Sequence, residues 1–236
     1  MTPELYLDLL KKCLTASIYE ESSWKRVESK PLLATPRWDL FQLLKNRLRK
    51  SLVNQLRKRS FLLVRQDPFN AGTRVVGEDW PCFGYTMIGH RRLDNLQKCI
   101  EDVLDNDISG DLIETGAWRG GATIFMRAVL RAHGVWDRIV WVADSFQGMP
   151  HPQGSEDGWD LTHVEYLKVS LENVKNNFAK FGLLDDQVCF LAGWFKDTLP
   201  YAPIEKLSIL RLDGDLYSST MDSLSNLYFK VSRGAT

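Results

Sequence analysis

Asp111-Leu112-Ile113-Glu114-Thr115-Gly116-Ala117-Trp118-Arg119-Gly120-Gly121 is the stretch whose reading decides the fold. A short apolar run, Asp111 to Glu114, closes on an acid, turns on glycines and enters a helical pattern over 122 to 132, so it reads as strand, tight turn and helix. The same alternation continues downstream. Arg138 to Ala143 reads as a second strand and Leu167 to Phe181 as a helix, with Leu167, Leu171, Val174, Phe178 and Phe181 at offsets of four and three. That helix is expected to stop at Gly182, a residue suited to a left-handed cap. Val188 to Ala192 and Leu207 to Leu212 are two further strands. Strands alternating with helices predict an α/β fold with a mainly parallel sheet.

Upstream of Ser109-Gly110 the pattern is helical. Residues 4 to 19 form a helix, with Tyr6, Leu9, Leu10 and Cys13 on one stripe. Glu20 to Pro36 and residues 72 to 81 read as loops, and a helix runs around Arg92 to Leu104. Between Arg37 and Arg65 nine Lys or Arg stand against one acid, Asp39. Its leucines recur on one stripe, so it reads as an amphipathic helix packed as a lid or subunit contact. An anionic membrane surface is the less favoured partner for it. The division expected is a helical region over 1–110, with this basic insertion at about 37–65, and a cofactor-binding domain over 111–236.

The whole chain has 236 residues, 30 Lys+Arg and 30 Asp+Glu. A formal charge of zero argues against a general nucleic-acid binder, whose affinity comes mainly from attraction to phosphate. Four cysteines, Cys13, Cys82, Cys99 and Cys189, form no C-x-x-C pair, which points to a reducing compartment. No apolar run reaches the roughly 18 residues that span a bilayer, and the N-terminus lacks a signal-peptide pattern, so the expected location is cytoplasmic.

In an open parallel sheet, ligands bind outside the carboxyl ends of the strands, where strand order reverses. Three strand ends here carry polar residues. The first is Glu114 with its glycine turn, in which Trp118 occupies the place of the middle glycine of a dinucleotide fingerprint and so disfavours a nicotinamide cofactor. The second is Asp144 in Val142-Ala143-Asp144-Ser145-Phe146, an acid able to accept both hydroxyls of a ribose or, alternatively, to cap its own turn. The third is Asp213 in Leu212-Asp213-Gly214-Asp215, a carboxylate placed to hold a hard cation or take a proton, or a simple turn. The histidines His90, His133, His151 and His163 show no metal-ligand spacing.

These blocks resemble the macrocin O-methyltransferase (TylF-like) family of S-adenosylmethionine-dependent enzymes. The matching segments run in order: Leu-Tyr-Leu-Asp-Leu-Leu-Lys-Lys-Cys-Leu at 5 to 14, Thr-Met-Ile-Gly at 86 to 89, and Glu-Thr-Gly-Ala-Trp-Arg-Gly-Gly-Ala at 114 to 122. Trp-Val-Ala-Asp-Ser-Phe-Gln-Gly at 141 to 148, Gly-Leu-Leu-Asp-Asp-Gln-Val at 182 to 188, Gly-Trp-Phe-Lys-Asp-Thr-Leu at 193 to 199 and Leu-Arg-Leu-Asp-Gly-Asp-Leu-Tyr at 210 to 217 follow. The resemblance implies a Rossmann-like methyltransferase fold and a homo-oligomer acting on a sugar hydroxyl of a glycosylated small molecule. It implies cofactor contacts at Thr86, Met87, Glu114, Gly116, Asp144, Ser145 and Trp194. It makes Asp213 the first of three Mg²⁺ ligands and His163 a matching candidate base.

The chain departs from the family pattern in two places. Residues near 25 to 66, which include the basic stretch, look longer than the family's usual N-terminal region, and where members continue with a strand and an Asp-Asp-Tyr supplying the other two metal ligands the chain ends Lys230-Val231-Ser232-Arg233-Gly234-Ala235-Thr236. Read so, the C-terminal strands are missing and the fourth strand becomes a sheet edge. The expectation is a Mg²⁺-assisted O-methyltransferase, with a truncated, inactive cofactor-binding protein as the alternative.

Overall fold

The structure is a computed structural model, and it describes residues 2–26, 48, 51, 52, 55, 64–158 and 160–235. The basic stretch, with its expected lid or subunit role, lies almost wholly outside the described residues. The first helix, α1 (Pro3–Leu14), begins on Thr2, whose hydroxyl accepts the Leu5 N–H, with Pro3 at the first helical position. It ends before residue 19, a short 3₁₀ turn covering Ser17–Tyr19. Its buried face is Leu7, Leu10, Lys11 and Leu14, while Leu9 of the expected stripe is exposed. The apolar stripe alone left two neighbouring faces open, and packing against the helices beneath selects one.

Two regions expected as loops are ordered. Strands β1 (Ser23–Arg26) and β2 (Val64–Asp67) pair antiparallel. Residues 71 to 76 form a helix, α2 (Ala71–Val76), capped by the Asn70 side chain and stopped by Gly77 at φ 73°. Asn70 and Gly77 are ordinary helix signals. The loop expectation rests on Gly72, Gly77 and Pro81 taken together as breakers.

Helix α3 (Gly89–Asp105) precedes the main sheet, which holds β3 (Asp111–Thr115), β4 (Val140–Asp144), β5 (Val188–Ala192) and β6 (Leu207–Leu212). All neighbours are parallel and the order is β5-β4-β3-β6. Helix α4 (Gly121–Ala132) links β3 to β4 and is buried continuously from Gly121 to Leu130, because it lies between the sheet and an outer layer that includes α1 and α3. Leu112 points to this core and Ile113 to the second, formed with Trp141, Leu199, Ile204, Leu207 and Leu227. Burial of both faces is why the strands read as near-continuous apolar runs.

The helix expected from Leu167 begins later. Helix α5 (Leu171–Lys180) follows a 3₁₀ turn and starts on Ser170, whose hydroxyl accepts the Asn173 N–H. It stops as expected: Gly182 takes φ 65°, and the Leu183 N–H returns to the Phe178 carbonyl at 3.1 Å. A short helix α6 (Phe195–Thr198) follows β5, and α7 (Tyr217–Leu227) follows β6. Strand β6 stands at the sheet edge, paired with β3 along its length and touching Val231 through one parallel bridge at Leu207. Strand order reverses between β3 and β6, so the crevice at the carboxyl ends of β3, β4 and β6 is the place for a ligand.

Candidate active site

A cavity of about 780 Å³ occupies that crevice, within the range of small-molecule sites. Its near wall is the glycine turn after β3. The Gly116 N–H donates to the Ala143 carbonyl at 2.8 Å and the Asp213 N–H to the Thr115 carbonyl at 2.9 Å, which draws the ends of β3, β4 and β6 together. Gly116 has φ 97°, and a Cβ there would lie 2.3 Å from the Asp213 carbonyl oxygen. A Cβ on Gly121 would lie 2.4 Å from the Tyr85 carbonyl oxygen, which accepts the Gly121 N–H. These glycines admit other backbone segments of the protein: Gly116 the end of β6, Gly121 the segment carrying Thr86 and Met87.

Asp144 organises the same wall. Its Oδ2 accepts the Ala117 N–H at 2.8 Å and the Trp118 N–H at 3.1 Å, and its Oδ1 accepts the Phe146 N–H at 2.8 Å. The turn-capping alternative is therefore realised, and it extends across the sheet to the neighbouring turn. A carboxylate offers about four acceptor positions, so three occupied ones leave Asp144 room for a single further donor. Ser145 closes the next turn, donating to the Gly148 carbonyl at 2.8 Å while accepting the Gln147 N–H. Gly193, after β5, donates to the Asp144 carbonyl and presents Trp194 to the cavity.

Glu114, expected as a cofactor contact, does not line the cavity. It is 2% exposed; Arg211 Nε donates to its Oε1 at 2.8 Å, and Oε2 has no hydrogen-bond partner. The Arg211 guanidinium donates also to Asp213 Oδ2 at 2.7 Å, so one cation joins the acids at the ends of β3 and β6. Burial pushes the Glu114 carboxyl up to about 7 against the opposing pull of Arg211. A carboxyl raised in the folded state makes the protein less stable as pH rises from the unfolded value near 4.5 toward 7. Glu114→Gln should therefore lessen the fall in stability over that window, burial having raised the carboxyls of Asp144, Asp213 and Asp215 as well; denaturant unfolding at several pH values reads it, and parallel pH curves for the two proteins would contradict the assignment.

The remaining expected residues divide. Met87, Gly116, Asp144, Ser145, Trp194 and Asp213 all line the cavity, whereas Thr86 is buried behind it and His163 is exposed outside it. His151 is the histidine in the wall. Sequence reasoning also missed an aromatic wall: Trp80 stacks on Tyr166 at 5.0 Å, Trp118 lies 5.1 Å from Tyr166, and the Arg119 guanidinium sits 4.3 Å over Trp118. Trp118 Nε1 donates to the Tyr166 carbonyl and the Tyr166 hydroxyl to the Pro81 carbonyl, tying three distant segments. The signal available was Trp118 itself, in the middle of a turn that favours glycine.

Among the described residues no three His, Cys, Asp or Glu side chains are grouped to hold a metal ion. Asp213, the one Mg²⁺ ligand that the resemblance assigns to this chain, stands in the wall with Arg211 on one of its oxygens. Nor is any helix among them long and apolar enough to cross a membrane.

A parallel sheet with a glycine turn, an acid closing the adjacent strand and a cavity at the strand ends defines a Rossmann-like α/β fold with a ligand crevice. The chain belongs to the macrocin O-methyltransferase (TylF) family, whose sequence profile matches residues 3–236. It is 46% identical over 236 residues to the 8-demethyl-8-(2,3-dimethoxy-α-L-rhamnosyl)-tetracenomycin-C 4'-O-methyltransferase of Streptomyces olivaceus, covering 98% of this chain and 77% of that one. It is 42% identical to the mycinamicin III 3''-O-methyltransferase of Micromonospora griseorubida, covering 98% and 80%. The solved structure of the O-methyltransferase NovP superposes with a TM-score of 0.75 at 44% identity, over 98% of this chain and 80% of that one. The calicheamicin methyltransferase CalS11 shares the fold at 15% identity and a TM-score of 0.52, over 86% and 81% of the two chains. The chain is accordingly an enzyme of the O-methyltransferase class, and its family implies S-adenosylmethionine as the methyl donor.

Proposed function

We propose that this enzyme methylates a sugar hydroxyl of a glycosylated small molecule. The observation that carries the reading is the cavity at the strand ends, lined together by the Gly116 turn, Asp144, Trp194 and Asp213. The relatives' names support the acceptor class, since one acts on a rhamnosyl tetracenomycin and another on mycinamicin III. The cavity suits the cofactor in volume, and Asp144 retains one acceptor position beside the turn it holds.

When bound, S-adenosylmethionine supplies a methyl group on a positively charged sulfur. The chain's own part is placement. Asp144 and Ser145 orient the ribose end, Gly116 shapes the turn at the amino-acid end, and Trp194 covers the flat base. Asp213, which lines the same cavity at the end of β6, is assigned the hydroxyl's orientation and its proton. His163, outside the wall, takes no part in this reading. Mg²⁺, implied by the resemblance, finds no group of three ligands among the described residues, and Asp213 already has one oxygen paired to Arg211. No step is routed through it.

S-adenosylhomocysteine is expected to bind, and Asp144→Ala to weaken it by roughly 1.5–3 kcal/mol, the scale of hydrogen bonds to a charged group. The loss has two sources: the ribose partner disappears, and the Ala117 and Trp118 N–H groups lose their acceptor. Calorimetry giving equal affinities would remove Asp144 from the site. Binding of NADH in place of S-adenosylhomocysteine would overturn the cofactor reading.

A further inference from the structure

After β4 the chain crosses the cavity before reaching α5. Gln147 to Gln153, Leu161 and Thr162 line the cavity on this crossing, as do Asp213, Asp215 and Ser218 from the β6 side. The crossing is anchored at its start by the Ser145 turn and near its end by Tyr166. Between these anchors stands Asp157, 4% exposed. Its Oδ2 accepts the Gln153 N–H at 2.6 Å and the Ser218 hydroxyl at 2.9 Å, and its Oδ1 accepts the Ser218 N–H at 2.8 Å.

Ser218 lies in the first turn of α7, where helices leave N–H groups without intrahelical partners. The N-cap position there is Leu216, which has no side chain to offer them. The cap comes instead from a residue 61 positions away, on the crossing that follows β4. A carboxylate suits this place electrostatically, since the N-terminal end of a helix carries partial positive charge. A local Ser or Asp at position 216 would cap the helix equally well. What the distant acid adds is a tie between two segments remote in sequence, because Gln153 and Ser218 both line the cavity and both hold Asp157.

We propose that Asp157 is a positioning residue that clasps the β4 side of the cavity to the β6 side and thereby slows release of bound cofactor. The inference rests on the reading of this cavity as the S-adenosylmethionine site. It assigns Asp157 no contact with the reacting atoms.

The test is the kinetics of S-adenosylhomocysteine binding to the full chain by surface plasmon resonance, with thermal melting in parallel. Asp157→Asn places an amide N–H where a second acceptor stood and should open the clasp. Dissociation should quicken about tenfold, the kinetic counterpart of about 1.4 kcal/mol, with association changed by less than about twofold. Ser218→Ala, which removes only the hydroxyl bond, should quicken dissociation by a smaller factor. The double variant should release no faster than Asp157→Asn alone, since both changes act through one tie. If Asp157→Asn does not fold, Ser218→Ala decides the matter. Dissociation equal to that of the parent protein, or a lower melting temperature with unchanged release, would overturn the clasp. Failure of the parent protein to bind S-adenosylhomocysteine would instead overturn the cofactor reading on which the clasp depends.

Discussion

Gly116→Ala is expected to lower stability by at least about 3 kcal/mol and to abolish S-adenosylhomocysteine binding. Two costs combine. The residue holds φ 97°, which side chains other than glycine rarely adopt, and the new Cβ would stand 2.3 Å from the Asp213 carbonyl oxygen and 2.8 Å from its carbon. Neither atom can retreat, because the Asp213 N–H is bonded to Thr115 and the two strand ends are thereby fixed. Relief requires β3 and β6 to part where the cavity begins. Gly182→Ala is the control: φ is 65° there too, but nothing lies within 4 Å of the added carbon. It should cost about 1–2 kcal/mol, the left-handed penalty alone. Similar losses for both variants would mean that the close approach of Asp213 contributes nothing.

Arg74→Met should be nearly as damaging, although Arg74 is absent from the cavity wall. Its side chain is 2% exposed. Nε donates to both oxygens of Asp79 at 2.8 and 3.0 Å, Nη1 to the Thr15 carbonyl at 2.6 Å and Nη2 to the Glu21 carbonyl at 3.2 Å. Glu21 in turn accepts the Phe83 and Gly84 N–H groups. One guanidinium thus joins the end of α1 to the segment that carries Trp80 and leads to Met87. Removing it strands the buried Asp79 charge, and breaking a buried pair in this way costs about 3–5 kcal/mol. For a chain of this size the melting temperature should fall by roughly 6–20 °C. Adding Asp79→Asn should restore part of the loss by removing the stranded charge. Unchanged melting in Arg74→Met would show that this junction does not hold the segment in place.

What the sequence determined by itself was the part of the fold written locally. Strands β5 and β6 lie where the apolar runs of 188 to 192 and 207 to 212 put them, and Gly182 stops its helix as expected. A parallel strand buried on both faces is an unbroken apolar run, and its helices carry their own periodicity, so both survive in a one-dimensional reading. Gly116, Asp144, Ser145, Trp194 and Asp213 share one cavity for a related reason: in a parallel sheet all strands end on the same side, so polar residues just past those ends meet whatever their order.

The tertiary structure alone decided which partner each of those groups takes. Nothing near Glu114 in sequence foretells Arg211, yet that pairing turns an expected cofactor contact into a buried acid outside the cavity wall. Asp144 is committed to the backbone of a turn on the neighbouring strand, and Asp157 to a helix 61 residues away. The pairing of β1 with β2 and the stacking of Trp80 on Tyr166 are likewise contacts between distant segments. A side chain's type states what it can bind, but the donor that reaches it is set by how the chain folds back, and local propensity carries no information about that. The residue types at the strand ends made a cavity with these acids legible; which acids face it and which are held beneath was settled only by packing.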